Sequence, residues 1–163
     1  NITREGFYTC KILSMFGGFR MGEDENIEQA NIESMSIKDF TITDEFIPVD
    51  QMISCRDLAK KLMEVPKGVV FAMDEEGNAV GAVTAREFLI ATMEGKNLKE
   101  LLAKDIMNTN IMEIMMDDPI SEVIFNISKF APYAVVVKDT DGSFKGYFSP
   151  KDYQEALKKT GVM

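Results

Sequence analysis

Two short stretches, Thr84-Ala85-Arg86-Glu87 and Ser149-Pro150-Lys151-Asp152, each place a hydroxyl, a cation and a carboxylate within four residues, and they stand 65 residues apart. Each follows a glycine and two apolar residues, Gly81-Ala82-Val83 and Gly146-Tyr147-Phe148, as a strand running into a helix would. At such a helix start the first backbone N–H groups lack intrahelical partners and the macrodipole adds positive charge, so an anion such as phosphate is favoured there. The Ser149 hydroxyl adds a donor. The same residues have a plainer use. Thr84-x-x-Glu87 is a capping box, and Ser149-Pro150-x-Asp152 is an ordinary helix start. The two uses are compatible, because a capped helix start still offers its other donors.

Composition narrows the chemistry. There is no histidine, which removes the commonest general base, the Ser-His and Cys-His nucleophile pairs and most zinc sites. No carboxylate or lysine constellation replaces them, so no enzyme is expected. The net charge of −9, without a dense Lys/Arg patch, disfavours nucleic acid, whose phosphates reward clustered positive charge. Any anionic ligand must be held locally. Cys10 and Cys55 form no CxxC pair, as suits free thiols in a reducing compartment. No apolar run approaches the roughly 20 residues of a membrane span, and no basic start leads into an apolar stretch near Asn1. The cytoplasm is the default. The acidic clusters Glu23-Asp24-Glu25, Asp74-Glu75-Glu76 and Asp117-Asp118 read as solvated turns rather than metal sites.

The elements that position the two stretches come from an internal repeat. Residues 69–81, VVFAMDEEGNAVG, match 134–146, AVVVKDTDGSFKG, at the same offset of 65 residues. Upstream, Leu58, Leu62 and Val65 match Val123, Ile127 and Phe130, in each copy at the i, i+4, i+7 spacing of one buried helix face. Lys38-Asp39-Phe40 matches Lys104-Asp105-Ile106 with the offset changed by one. Each unit reads as strand, helix, strand, strand, helix. The first has strands Phe46–Asp50, Val69–Met73 and Ala79–Val83, a helix capped by Ser54 with Asp57 three residues on, and a helix over 85–94. The second has strands over 110–114, 134–138 and 144–148, a helix begun by Asp118 with Pro119 at its first position, and a last helix over 150–159. Residues 95–104 read as a helical connection, and 8–16 as a strand or short helix. Met112, Met115 and Met116 are expected to pack between the units. The boundaries are 1–34 as an extension, 35–97 as the first repeat and 98–163 as the second. A unit this small buries little alone, so the copies are expected to pack together.

The repeat resembles the cystathionine-β-synthase (CBS) domain. That family's units end with a strand, a glycine, two apolar residues, Thr or Ser, two residues and Asp, matched here by 81–87 and 146–152. The second copy also resembles the family's opening, as Lys104-Asp105-Ile106-Met107 through Ile111, Ile114 and Pro119. The resemblance covers about residues 36–160 and implies an α+β fold: two β-α-β-β-α repeats packed through their sheets with approximate twofold symmetry. It implies two clefts between the repeats that hold an adenosine ligand (AMP, ADP, ATP or S-adenosylmethionine), a regulatory role and a homodimer. No cofactor is required, and any regulated partner protein is unnamed by the sequence.

Carried over residue by residue, the second motif supplies Ser149, Lys151 for a phosphate and Asp152 for the ribose hydroxyls. The resemblance places the adenine against Asn108, Asn110 and Ile111, and against Pro132, Tyr133 and Ala134. The first motif supplies Thr84, Arg86 and Glu87, with Gly68 and Val69. Glu87 departs from the family's aspartate, and its extra methylene shifts the carboxylate relative to a fixed ribose. If one cleft alone is occupied, the Ser149/Asp152 cleft is expected. The competing reading is a nucleotide-independent dimerisation or docking module, with bulky Tyr133 and Phe148 filling the clefts and residues 1–34 facing the partner.

Overall fold

The computed structural model of the chain describes residues 34–42, 45–65 and 67–161. The expectations for 1–33, the element over 8–16 and Cys10 among them, lie outside the described residues. β-branched runs and amphipathic stretches fall into the expected alternation. The first unit comprises β1 (Phe46–Asp50), α1 (Cys55–Glu64), β2 (Val69–Met73), β3 (Ala79–Val83) and α2 (Ala85–Met93). After a short α3 (Ala103–Ile106), the second comprises β4 (Ile111–Met115), α4 (Ile120–Phe130), β5 (Ala134–Lys138), β6 (Phe144–Tyr147) and α5 (Pro150–Lys159). Each unit forms a three-stranded sheet, β1-β2-β3 and β4-β5-β6. Within each, the first pair is parallel and the second antiparallel. A parallel pair needs a crossover, which α1 and α4 provide; the antiparallel pair needs only a tight turn. In the first hairpin the Asp74 carboxylate accepts from the Glu76 and Asn78 N–H groups at 3.0 and 2.8 Å. Gly77 takes the left-handed conformation there, as Gly142 does in the second hairpin.

The inner faces of the two sheets meet in one shared core. Val69, Phe71, Ala79 and Ala82 pack against Ala134, Val136 and Tyr147. Phe71 makes edge-on contacts with Phe144 at 5.7 Å and Tyr147 at 5.4 Å, a favoured aromatic geometry.

On the helical side each unit is completed by the segment that leads into the other. Ile37, Phe40 and Ile42, which precede the first unit, are buried in the second unit's core with Ile114, Val123 and Phe148. Ala103 and Ile106, which precede the second, are buried with Cys55, Leu58 and Val70 of the first. The two lead-ins are built alike. A one-turn 3₁₀ helix (Ile37–Asp39) is closed by Asp39 accepting from the Ser36 N–H, and α3 by Asp105 accepting from the Leu102 N–H. Backbone bonds then stitch each lead-in across. Asn108 and Ala82 exchange N–H···O bonds of 2.9 Å, and the Tyr147 N–H donates to the Ile42 carbonyl at 3.2 Å. This explains the second glycine of each repeat. A Cβ on Gly81 would collide with the Met107 side chain, and one on Gly146 with the Ile42 carbonyl oxygen.

Several expectations are corrected. Residues 95–102 are not helical: left-handed Gly95 ends the preceding turn, and Leu98 and Leu101 reach the first core from turns instead. Helix α2 stops at Met93, and β4 begins at Ile111 rather than 110. Pro119 is the N-cap of α4, not its first residue, because the Asp118 carboxylate turns back to accept from the Met115 N–H. Phe130 is exposed. The helix leaves the core at its last turn, where Ala131 is left-handed, and Ile120 serves the buried face instead. Met112 and Met116 pack on the second unit's helical core, not between the sheets.

Candidate functional site

The first motif folds into the cap that its sequence allows. Thr84 caps α2, and its N–H and hydroxyl both donate to Glu87 Oε2, at 2.7 and 2.9 Å. Glu87 is buried, and its Oε1 has no hydrogen-bonding partner among the described residues. A third donor comes from the other unit: the Tyr133 hydroxyl lies 3.0 Å from Glu87 Oε2 and 2.9 Å from Thr84 Oγ1. Each hydroxyl has one proton, and both are drawn to the carboxylate, the stronger acceptor. Burial pushes the Tyr133 phenol well above the usual tyrosine range, and the adjacent Glu87 charge adds to the rise. Arg86 is exposed at the motif's rim.

The second motif is capped in the same way and lies deeper. The Ser149 N–H and hydroxyl donate to Asp152 Oδ2 at 2.8 and 3.0 Å, and the Asp152 N–H donates back to Ser149 Oγ at 3.2 Å. Ser149 is 3% and Asp152 6% exposed. Gly146, Tyr147 and Phe148 are buried as well, while Lys151 is exposed. The hydroxyl and carboxylate that the sequence offers to a ligand are thus engaged with each other at the start of α5.

Between the motifs lies a cavity of about 60 Å³. Glu45, Lys67, Gly68, Val69 and Thr84 of the first unit form one part of its wall; Tyr133, Ala134, Tyr147 and Pro150 of the second form the rest. Small-molecule pockets typically measure about 300 Å³ or more, so this cleft is narrow as it stands. The reciprocal packing exchanges the two expected groupings. Asn108 pairs with Ala82, two residues before Thr84, and Tyr133 bonds Thr84 and Glu87. The Asn110 carbonyl accepts from the Tyr133 N–H at 2.8 Å, Pro132 is buried, and Ile111 joins the shared core. These residues therefore gather at the first motif, and Tyr133 and Ala134 also share the cavity with Gly68, Val69, Tyr147 and Pro150. Glu45, Lys67, Tyr147 and Pro150 are lining residues that the motif reading did not supply. The constant offset held a signal for them, since Lys67 and Gly68 are the counterparts of Pro132 and Tyr133.

Among the described residues no cluster of three or more His, Cys, Asp or Glu could hold a metal ion. No helix among them is long and apolar enough to cross a membrane.

Residues 103–159 match the family model of the CBS domain. That match spans the second unit. Together with the first it carries the fold of a CBS-domain pair, as solved structures bear out. A CBS-domain protein from Pyrobaculum aerophilum complexed with AMP superposes with a TM-score of 0.64 at 18% identity, over 79% of this chain and 100% of that one. A CBS-domain pair in complex with 5′-methylthioadenosine and S-adenosyl-L-methionine gives 0.62 at 23% identity, over 79% and 98%. An uncharacterised conserved protein from Pyrococcus horikoshii gives 0.62 at 21%, over 76% and 92%. Among curated proteins none matches the sequence. These likenesses carry the fold, α+β with two β-α-β-β-α units packed through their sheets.

Proposed function

We propose that this CBS pair is a regulatory, non-catalytic module that senses an adenosine ligand (AMP, ADP, ATP or S-adenosylmethionine) in the cleft between its repeats. The observation that carries the reading is the cleft itself. It lies between two capped helix starts, with Lys67 on its wall and Arg86 and Lys151 exposed beside the two caps. Two structural neighbours were solved with AMP and with S-adenosylmethionine and methylthioadenosine. The narrowness of the cleft supplies a mechanism. A ligand that binds only when the walls have parted favours that arrangement by its differential affinity, and the shift in repeat orientation is the signal. The cytoplasm is the compartment we assign.

A thermal-shift series with AMP, ADP, ATP and S-adenosylmethionine tests this. At 100 times its Kd a binder stabilises the fold by roughly 2.7 kcal/mol. Four flat responses at millimolar ligand would sink the reading.

A nucleotide-independent homodimerisation or docking module is the second reading, and a specific observation favours it. Helix α2 exposes Leu89 and Met93 at 64% and 82%, and α4 exposes Phe125 and Phe130 at 63% and 59%. Apolar side chains grouped in this way mark interaction surfaces. Sedimentation with and without AMP separates the readings: a dimer indifferent to ligand supports the second.

A further inference from the structure

We propose that Tyr133 is an internal plug: its phenol closes the Thr84–Glu87 end of the cleft, so that each chain takes one adenosine ligand, at the Gly68–Pro150 end. The proposal rests on the ligand-sensing reading above for its stoichiometry, but the plug itself stands on contacts within the protein. Glu87 Oε2 already receives three donors, from the Thr84 N–H, the Thr84 hydroxyl and the Tyr133 hydroxyl. Glu87 Oε1 is buried. A ligand hydroxyl reaches Glu87 Oε2 only by displacing one of these donors, and displacement of the tyrosine strands a largely buried phenol without its acceptor.

The repeat makes the two ends unequal. The residue that corresponds to Tyr133 in the first unit, 65 positions earlier, is Gly68, which has no side chain to aim at the second motif. Nor can it acquire one, since a Cβ on Gly68 would collide with the Glu45 carbonyl oxygen. Backbone conformation sets both arrangements. Glu45 and Ala131 are the two non-glycine residues with positive φ among those described, at 68° and 44°. Glu45 brings its carbonyl against Gly68, and Ala131 turns the chain out of α4 two residues before Tyr133. Left-handed backbone at residues with a side chain is costly and persists where the surroundings enforce it. Here it occurs on both approaches to one cleft, with a tyrosine side chain at one end and a glycine at the other as the result.

Two measurements test the plug and keep its failure distinct from that of the binding reading. The first uses no ligand. A double-mutant cycle of Tyr133→Phe and Glu87→Gln, read by urea unfolding, is expected to show coupling on the order of tenfold in the unfolding equilibrium constant. Additive effects overturn the plug whatever the protein binds. The second is calorimetric titration with AMP and, in turn, S-adenosylmethionine. One site is expected in the wild type and two in Tyr133→Ala. Two sites in the wild type, or one in both proteins, overturn the plug while leaving ligand sensing intact. No binding in either protein overturns ligand sensing and the one-per-chain stoichiometry with it, and the cycle then decides alone whether Tyr133 is locked on Glu87. Should Tyr133→Ala fail to fold, the cycle with the two near-isosteric variants still decides.

Discussion

At the residue scale, the polar atoms of both motifs serve folding before they serve a ligand. Asp152 Oδ2 accepts from the Ser149 N–H and hydroxyl in a buried setting. Asp152→Ala should therefore destabilise the protein by about 1–3 kcal/mol, measured by urea unfolding without ligand. A ligand-binding defect in that variant is meaningful only after the stability loss is known. The tyrosines give a pH signature. Burial holds Tyr133 and Tyr153 above the usual tyrosine range. The folded state keeps protons that the unfolded chain releases, so their contribution is fully present below about pH 10 and is lost as pH rises beyond it. The urea midpoint should fall as the pH rises above about 10, and less steeply in Tyr133→Phe.

At the scale of elements, the glycine before each motif is explained by what crosses it. Gly146 faces the Ile42 carbonyl oxygen, a backbone atom, and Gly81 faces the flexible Met107 side chain. An added methyl group needs the backbone to move in one case and a side chain in the other. Gly146→Ala should cost about 2–3 kcal/mol and Gly81→Ala about 1 kcal/mol, with urea midpoints giving the order. The reverse order would mean that the Ile42 segment is not anchored on β6. The hairpins and crossover helices were legible because each rests on local rules: an Asp-Gly turn, alternating burial, or a capped amphipathic stretch. The connection over 95–102 departs from the helical expectation because Leu98 and Leu101 pack, half-buried, on a core built from residues far away in sequence.

For the whole molecule, the exchange of lead-ins makes the two units interdependent. The second core includes Ile37, Phe40 and Ile42, and the first includes Ala103 and Ile106. A fragment over 98–163 contains the whole matched CBS domain yet lacks three buried side chains of its own core. It should fail to fold cooperatively, and circular dichroism on heating should show no sigmoidal transition. The intact chain should unfold in a single transition, because neither half closes its core alone. Two separated transitions would contradict the exchanged arrangement.

The repeat, the strand order and the caps at Ser54, Thr84 and Ser149 were determined by the sequence itself, since each depends on residues a few positions apart whose spacing states their partners. The tertiary structure decided which motif meets which side chain. Tyr133 belongs with Glu87 rather than Asp152 because each unit inserts its strand start into the other's cleft. That contact joins positions 46 apart in the chain, and nothing in the local pattern of either end specifies it. It likewise decided that the cleft has one end filled by a phenol and the other bounded by a glycine, since only the packing of two sheets face to face brings Gly68, Tyr133 and Pro150 to one cavity.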